Sequence, residues 1–180
     1  MMQIMGISGL PGSGKGVVSD IATEKGAIIV SMGDIVREEA KKRGEGSKET
    51  AKNLRKEFGE YIISELTIEK IKKLQDEGVE KTIIVEGIRS LHEVDMFKEN
   101  FDNFMILSIF ANTNIRFERL KKRMREDDSQ DFNEFKKRDM SELGFGIGSV
   151  ISLSDRLIIN ESDMESFIQD INDFFDEIGL

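Results

Sequence analysis

The chain of 180 residues contains no cysteine, one histidine (His92) and one proline (Pro11). Without cysteine there is no disulfide framework, no thiol nucleophile and no cysteine-based zinc site. One histidine cannot supply a two-histidine metal site, and His92 reads as a surface or capping residue. No apolar run approaches the roughly 20 residues of a membrane helix. The opening MMQIMGIS is too short for a signal-peptide core and runs straight into glycine. No internal repeat and no low-complexity stretch occurs. These absences lead to the expectation of a cytoplasmic protein without a membrane segment. The length fits one domain, 1–180, large enough to bury a core without staples.

The charge is −9, from 26 basic and 35 acidic residues. That balance argues against a nucleic-acid coat protein, which needs a basic face. The distribution is uneven. From Ser154 to Leu180 there are eight acids and one base, a net −7, which leaves −2 for the other residues. Local basic patches can therefore exist in the body.

Short apolar runs alternate with helical patterns. Strands are expected at Gln3–Ser8, Ala27–Ser31, Thr82–Glu86, Phe104–Phe110 and Arg156–Asn160. Helices are expected from Gly14 to Lys25, from an Asp34 N-cap through Lys41, and from Thr50 to Glu77 with a break near Gly59. Others are expected at Leu91–Lys98, Ile115–Glu126, Phe132–Leu143 and Asp163–Ile178. The strands are continuously apolar, as in strands covered on both faces. Strands separated by helices imply parallel crossovers and an α/β layered fold. Ligands then sit beyond the carboxyl ends of the strands.

After the first strand comes Gly9-Leu10-Pro11-Gly12-Ser13-Gly14-Lys15-Gly16, a G-x-x-x-x-G-K string followed by Val17. Glycines let successive N–H groups converge on one concavity, and the next helix adds its N-terminal partial charge. Lys15 can then reach the β- and γ-phosphates of ATP. Residues Gly9 to Val17 form the candidate ATP loop. The usual motif ends in Ser or Thr, whose hydroxyl ligates Mg²⁺. Gly16 and Val17 leave that hydroxyl missing. A Mg²⁺ cofactor bound with ATP would be held by phosphates, water and an outer carboxylate.

Other strand ends supply further candidates. Asp34 and Arg37, three apart, share a helix face after the second strand. Glu86 ends the third strand and suits a carboxylate that holds Mg²⁺ through water. Gly87 would let a phosphate approach, and Arg89 could grip it with two prongs. Six basic residues fall in positions 116–125, with Arg116, Arg119 and Arg123 on one helix stripe. They read as a phosphate clamp, and the acidic run Glu126–Asp131 behind them as a mobile lid.

The strings GLPGSGKG, SMGDIVREEAKKRG, VEGIRSLHEV and RFERLKKR, with FGIG at Phe145–Gly148 and Ile158–Glu161, resemble the P-loop nucleoside monophosphate kinase superfamily. The chain is most similar to small archaeal proteins described as adenylate-kinase-related or dephospho-CoA-kinase-like. The resemblance implies a three-layer α/β/α P-loop kinase fold with five parallel strands in order 2-3-1-4-5. It implies an acceptor-binding helical region (34–80) and a small lid region (116–143). It makes Asp34 and Arg37 acceptor-side residues, Arg119 and Arg123 lid arginines on ATP, and Asn160 part of the loop beside the base. The fit departs at Arg89. Adenylate kinases place that arginine four after the acid, where here it is three after Glu86, and their second proline is absent.

The expected activity is transfer of the γ-phosphoryl group of ATP to a small phosphorylated acceptor such as a nucleoside monophosphate. Lys15, Arg119, Arg123 and Asp34 are the candidate catalytic residues, and Asp34, Arg37 and Arg89 bind the acceptor. A hydroxyl acceptor, as in dephospho-CoA kinases, needs a positioned carboxylate, and Asp34 is available. An ATP-binding switch with slow hydrolysis is the third reading. Nucleic-acid binding is the weakest, because the basic helix has no aromatic platform beyond Phe117.

Overall fold

The computed structural model describes residues 3–124 and 128–180. Arg125, Glu126 and Asp127, which include the expected end of the basic helix, lie outside the described residues. The elements run β1 (Ile4–Ser8), α1 (Lys15–Glu24), β2 (Ile28–Ser31), α2 (Met32–Arg43), α3 (Ser47–Phe58), α4 (Ile62–Asp76) and β3 (Ile83–Glu86). They continue with α5 (Leu91–Asn100), β4 (Met105–Phe110), α6 (Thr113–Arg123), α7 (Phe132–Gly144), α8 (Ile147–Ser152), β5 (Arg156–Ile159) and α9 (Met164–Ile178).

All five strands are parallel, in the order β2-β3-β1-β4-β5. The continuous apolar character of the central strands has a direct cause. Successive side chains point to opposite faces, and each face carries a separate core. Ile4, Ile83, Val85 and Ile106 join α2, α4, α5 and α8 on one face. Met5, Ile84 and Leu107 join α1 and α9 on the other. The strand β5 corrects the expectation of double coverage. It is a sheet edge, with Leu157 46% and Ile159 55% exposed.

Helix ends follow local chemistry. Ser31, not Asp34, is the N-cap of α2, because its hydroxyl accepts from the Asp34 N–H. Asp34 sits inside the first turn, where its charge meets the positive helix end. Gly59 (φ 111°) separates α3 from α4, the break expected there. The helix start at α5 is a capping box between Ser90 and Glu93. The short helix α8 was not expected from the pattern. The acidic C-terminal helix α9 docks through Phe167, Ile171, Phe174 and Phe175, all buried against α1 and the sheet.

Register brings the functional ends level. Ile7 pairs with Glu86, Ser8 with Ser108, and Phe110 with Ile159. The segments after β1, β3, β4 and β5 therefore open along one edge of the sheet.

Candidate functional site

The loop between β1 and α1 is held in shape by its own backbone and by its neighbours. The Ser13 N–H donates to the Leu10 carbonyl at 3.1 Å. Gly12 has φ 82°, and a Cβ there would stand 2.8 Å from the Arg116 carbonyl oxygen. Gly14 (φ 113°) is the N-cap of α1, and a Cβ there would strike the Asn160 amide and the Phe167 ring. These two positions require glycine on both conformational and steric grounds.

The Lys15 ammonium donates to the carbonyl of Gly9 at 2.5 Å and of Leu10 at 3.3 Å. Burial pushes its pKa down to about 8, with Arg89 and Arg116 acting in the same sense. Glu86 and Glu142 oppose that shift. A lysine held with weakened solvation at a glycine loop is poised to gain from an incoming polyanion.

A cleft of about 550 Å³ opens beside this loop. Five cations line it among the described residues: Lys15, Arg89, Arg119, Arg123 and Arg138. Three acids line it too, namely Asp20, Glu86 and Glu142. The cleft is cation-rich in a protein whose net charge is −9.

Asn160 ties the loop to α6. Its Nδ2 donates to the Ser13 carbonyl at 2.8 Å, and its Oδ1 accepts from Arg119 Nη2 at 3.0 Å. Asn160 is buried. Arg119 Nη1 is buried with no hydrogen-bond partner among the described residues. Burial lowers the Arg119 pKa, with Glu161 opposing. A buried guanidinium N–H without a partner is costly, and Arg119 itself lines the cleft.

Arg116 is a correction. The stripe reading placed it in the phosphate clamp with Arg119 and Arg123. Its guanidinium instead turns inward, buried, to Asp139 and to the carbonyls of Ala111 and Pro11. Helix α6 packs that side against α7, and only a buried carboxylate makes the position tolerable. Arg123 lines the cleft and also pairs with Asp128 at 2.8 and 2.7 Å, while Arg138 stands 3.4 Å from the same carboxylate.

At the end of β3, Glu86 accepts a hydrogen bond from the Ser19 hydroxyl. Gly87 (φ 103°) turns the chain away from β3, close to Met32 at the start of α2. The Arg89 backbone N–H is held by Glu93 at 2.7 Å. Its guanidinium lies 3.1 Å from Glu142 and 5.6 Å from the Phe145 ring centroid. Asp34 and Arg37 are exposed, pair with each other at 2.9 Å, and do not line the cleft. His92 is exposed and packs against Tyr61, with ring centroids 3.9 Å apart and the planes tilted by 31°.

The cleft thus gathers Gly9, Pro11, Gly12, Gly14, Lys15, Gly16, Val17, Glu86, Arg89, Arg119, Arg123 and Asn160 from separate segments. Leu10 and Ser13 shape the loop from behind. Glu142 was missed by the sequence reading, although its spacing of four from Arg138 on α7 places both on one helix face. The Arg116–Asp139 pair carried no sequence signal at all, being 23 residues apart.

The AAA domain family matches residues 8–136. The UPF0200 protein of Methanothermobacter thermautotrophicus is 49% identical over 160 residues, covering 89% of this chain and 82% of that one. UPF0200 protein MJ1399 of Methanocaldococcus jannaschii is 42% identical over 183 residues, covering 98% and 91%. Among solved structures, TT1252 from Thermus thermophilus has a TM-score of 0.67 at 13% identity over 98% of this chain and 97% of that one. Shikimate kinase from Bacteroides thetaiotaomicron has a TM-score of 0.63 at 12% identity over the full length of both chains. At such identities the likeness concerns the fold. No helix among the described residues is long and apolar enough to cross a membrane.

Proposed function

The chain belongs to the AAA domain family and to the UPF0200 group of archaeal proteins, with a P-loop kinase-like fold, and from that premise we propose that it transfers the γ-phosphoryl group of ATP to a small phosphorylated acceptor, in the first instance a nucleoside monophosphate. The observation that carries this reading is the cleft itself. A phosphate loop and four arginines converge on one space, and one of those arginines has an unpartnered N–H.

In this reading the triphosphate lies along residues 9–17, with Lys15 moving from the Gly9 and Leu10 carbonyls to the β- and γ-phosphates. Arg119 and Arg123 take the phosphate oxygens from the lid side, and Asn160 borders the base. The acceptor's phosphate lies toward Arg89, the acceptor-side residue that lines the cleft. An acceptor oxygen forms the new bond to the γ-phosphorus as the bond to the bridging β–γ oxygen breaks, and ADP leaves. The attacking phosphate oxygen is already anionic, so no proton must be removed. The work of the protein is alignment and neutralisation of charge.

Mg²⁺ is part of this proposal. Glu86 is a carboxylate at the cleft wall that no basic side chain pairs with among the described residues, so the donors present suit a cation held through water. When bound with ATP, the cation would supply positive charge that offsets the negative charge developing on the leaving group.

A second reading, transfer to a hydroxyl, is favoured by Glu142. It is a carboxylate within the cleft, nearer the phosphate loop than Asp34, and could accept a hydroxyl proton. Purified protein with ATP, Mg²⁺ and a panel of phosphorylated and hydroxyl acceptors tests both readings. Acceptor-dependent ADP release by a monophosphate supports the first. Release only with hydroxyl compounds supports the second, and slow acceptor-independent ATP loss overturns both.

A further inference from the structure

The missing motif hydroxyl leaves a physical gap. Gly16 is the second residue of α1, and a Cβ built there meets nothing within 4 Å. The space a Ser or Thr side chain would fill is open. One turn further along, at four residues from Lys15, stands Ser19. It is 8% exposed, and its hydroxyl donates to Glu86 Oε1. Among the described residues Glu86 Oε2 takes no hydrogen bond, and Glu86 pairs with no basic residue. The neighbouring ammonium of Lys15 is occupied by the Gly9 and Leu10 carbonyls.

A carboxylate at the end of a buried strand has two free torsions beyond the first, and an unheld Glu would sample several rotamers. One hydrogen bond to Oε1 removes that freedom. It leaves Oε2 with its lone pairs unspent, on a residue that lines the cleft. An outer oxygen ligand acts on a cation only when its direction is fixed. The Glu side chain is one methylene longer than Asp, which suits a hydroxyl one turn deeper in α1 than the usual motif position.

We propose that Ser19 is the positioning residue for the cation-side carboxylate, a buried hydroxyl that orients Glu86 in place of the hydroxyl absent at position 16. The inference rests on the reading of the cleft as an ATP site. Ser19 does not touch the nucleotide; it acts through Glu86. A purely structural Ser19 would fasten α1 to β3 and nothing more, so the test needs a readout that such a fastening would not move.

The readout is binding, in two steps. A non-hydrolysable ATP analogue is titrated calorimetrically in EDTA. Mn²⁺ is then titrated into the nucleotide complex and followed by electron paramagnetic resonance. Four chains are compared: wild type, Ser19→Ala, Ser19→Thr and the double variant Gly16→Ser/Ser19→Ala. Metal-free nucleotide affinity is expected to be the same in wild type, Ser19→Ala and Ser19→Thr, and Mn²⁺ affinity in the double variant is read relative to its own nucleotide complex. Mn²⁺ affinity is expected to fall about tenfold in Ser19→Ala, to be retained in Ser19→Thr, and to recover in the double variant. Mn²⁺ affinity of Ser19→Ala equal to wild type overturns the inference. So does a Ser19→Ala loss that the serine at position 16 fails to recover. Absence of metal-free nucleotide binding in the wild type overturns the phosphate-loop reading itself, and the inference falls with it.

Discussion

Arg116 and Asp139 meet as a two-pronged pair in the interior, Nη1 to Oδ1 at 2.8 Å and Nη2 to Oδ2 at 2.5 Å. Their side chains are 3% and 10% exposed. The same Nη1 reaches the Pro11 carbonyl at 3.1 Å. The pair therefore fastens α6 to α7 and both to the phosphate loop. Arg116 also lies over the Phe135 ring, 5.3 Å from its centroid, which gives the guanidinium a second contact inside the fold.

Breaking that pair from one side strands a buried charge. Asp139→Ala is expected to destabilise the fold by about 3–5 kcal/mol. Arg116→Met with Asp139→Leu removes both charges and should recover part of the loss, the remainder reflecting the Ala111 and Pro11 carbonyls that lose their donor. Denaturant unfolding of Arg116→Met, Asp139→Leu and the double variant measures the coupling. Additive losses would contradict the buried-pair assignment.

Asn160 makes one amide serve two partners, Ser13 behind the loop and Arg119 on α6. Asn160→Ala leaves the Ser13 carbonyl and a second guanidinium N–H without partners. The expected loss of stability is about 1–3 kcal/mol. Nucleotide affinity should also fall, since the loop and Arg119 are no longer held together. Thermal unfolding and nucleotide titration on the same preparation check both effects. Full nucleotide affinity with lowered stability would confine Asn160 to the scaffold.

Lys15 supplies a pH prediction. Burial lowers its pKa in the free protein from 10.5 to about 8. A bound polyphosphate stabilises the charged form, so binding above pH 8 must draw in a proton. Nucleotide affinity is expected to be flat below pH 7 and to decline through pH 8 to 10. Calorimetry in two buffers of different ionisation enthalpy should register proton uptake at pH 8.5. The sign for stability is the reverse. Between the folded value of about 8 and the unfolded value of 10.5 the unfolded chain carries more protons, so Lys15's unfavourable contribution is present below pH 8 and relaxes as pH rises. Lys15→Met should therefore unfold at a higher temperature than wild type at pH 7, and lose roughly tenfold to hundredfold in nucleotide affinity through its lost charged hydrogen bonds.

Arg89 and Glu142 separate the two acceptor readings. With a phosphorylated acceptor, Arg89→Ala should raise the acceptor KM by roughly tenfold to hundredfold and spare ATP. Glu142→Gln should then lower that KM or leave it unchanged, because a competing anion is removed from Arg89. A kcat fall of about a hundredfold or more in Glu142→Gln, at unchanged KM, would instead mark a general base and a hydroxyl acceptor.

Much of this was readable from residue order. The alternation of apolar runs with helical periods placed the strands, because the central strands are buried on both faces. Gly12 and Gly14 announced the loop, because each position excludes a Cβ. The edge character of β5 was not readable, since RLII looks the same whether or not a second layer covers it. The capping of α2 by Ser31 was misread, because Ser31 and Asp34 are both competent caps and only the backbone decides. Arg116 was misread for a related reason. Helical spacing tells which residues share a stripe, but its width spans both the cleft and the α7 interface. Glu142 and Asp139 belong to contacts made only when α7 folds back, and no local pattern reports those.

The most direct measurement is the fate of the γ-phosphoryl group. ATP labelled at the γ-phosphorus is incubated with the protein, Mg²⁺ and a nucleoside monophosphate, and the products are separated. The expected result is label in the corresponding nucleoside diphosphate, in equal amount to the ADP formed, and its absence with Lys15→Ala. Label appearing only as inorganic phosphate, at a rate the acceptor does not change, would contradict the assignment of this cleft to phosphoryl transfer.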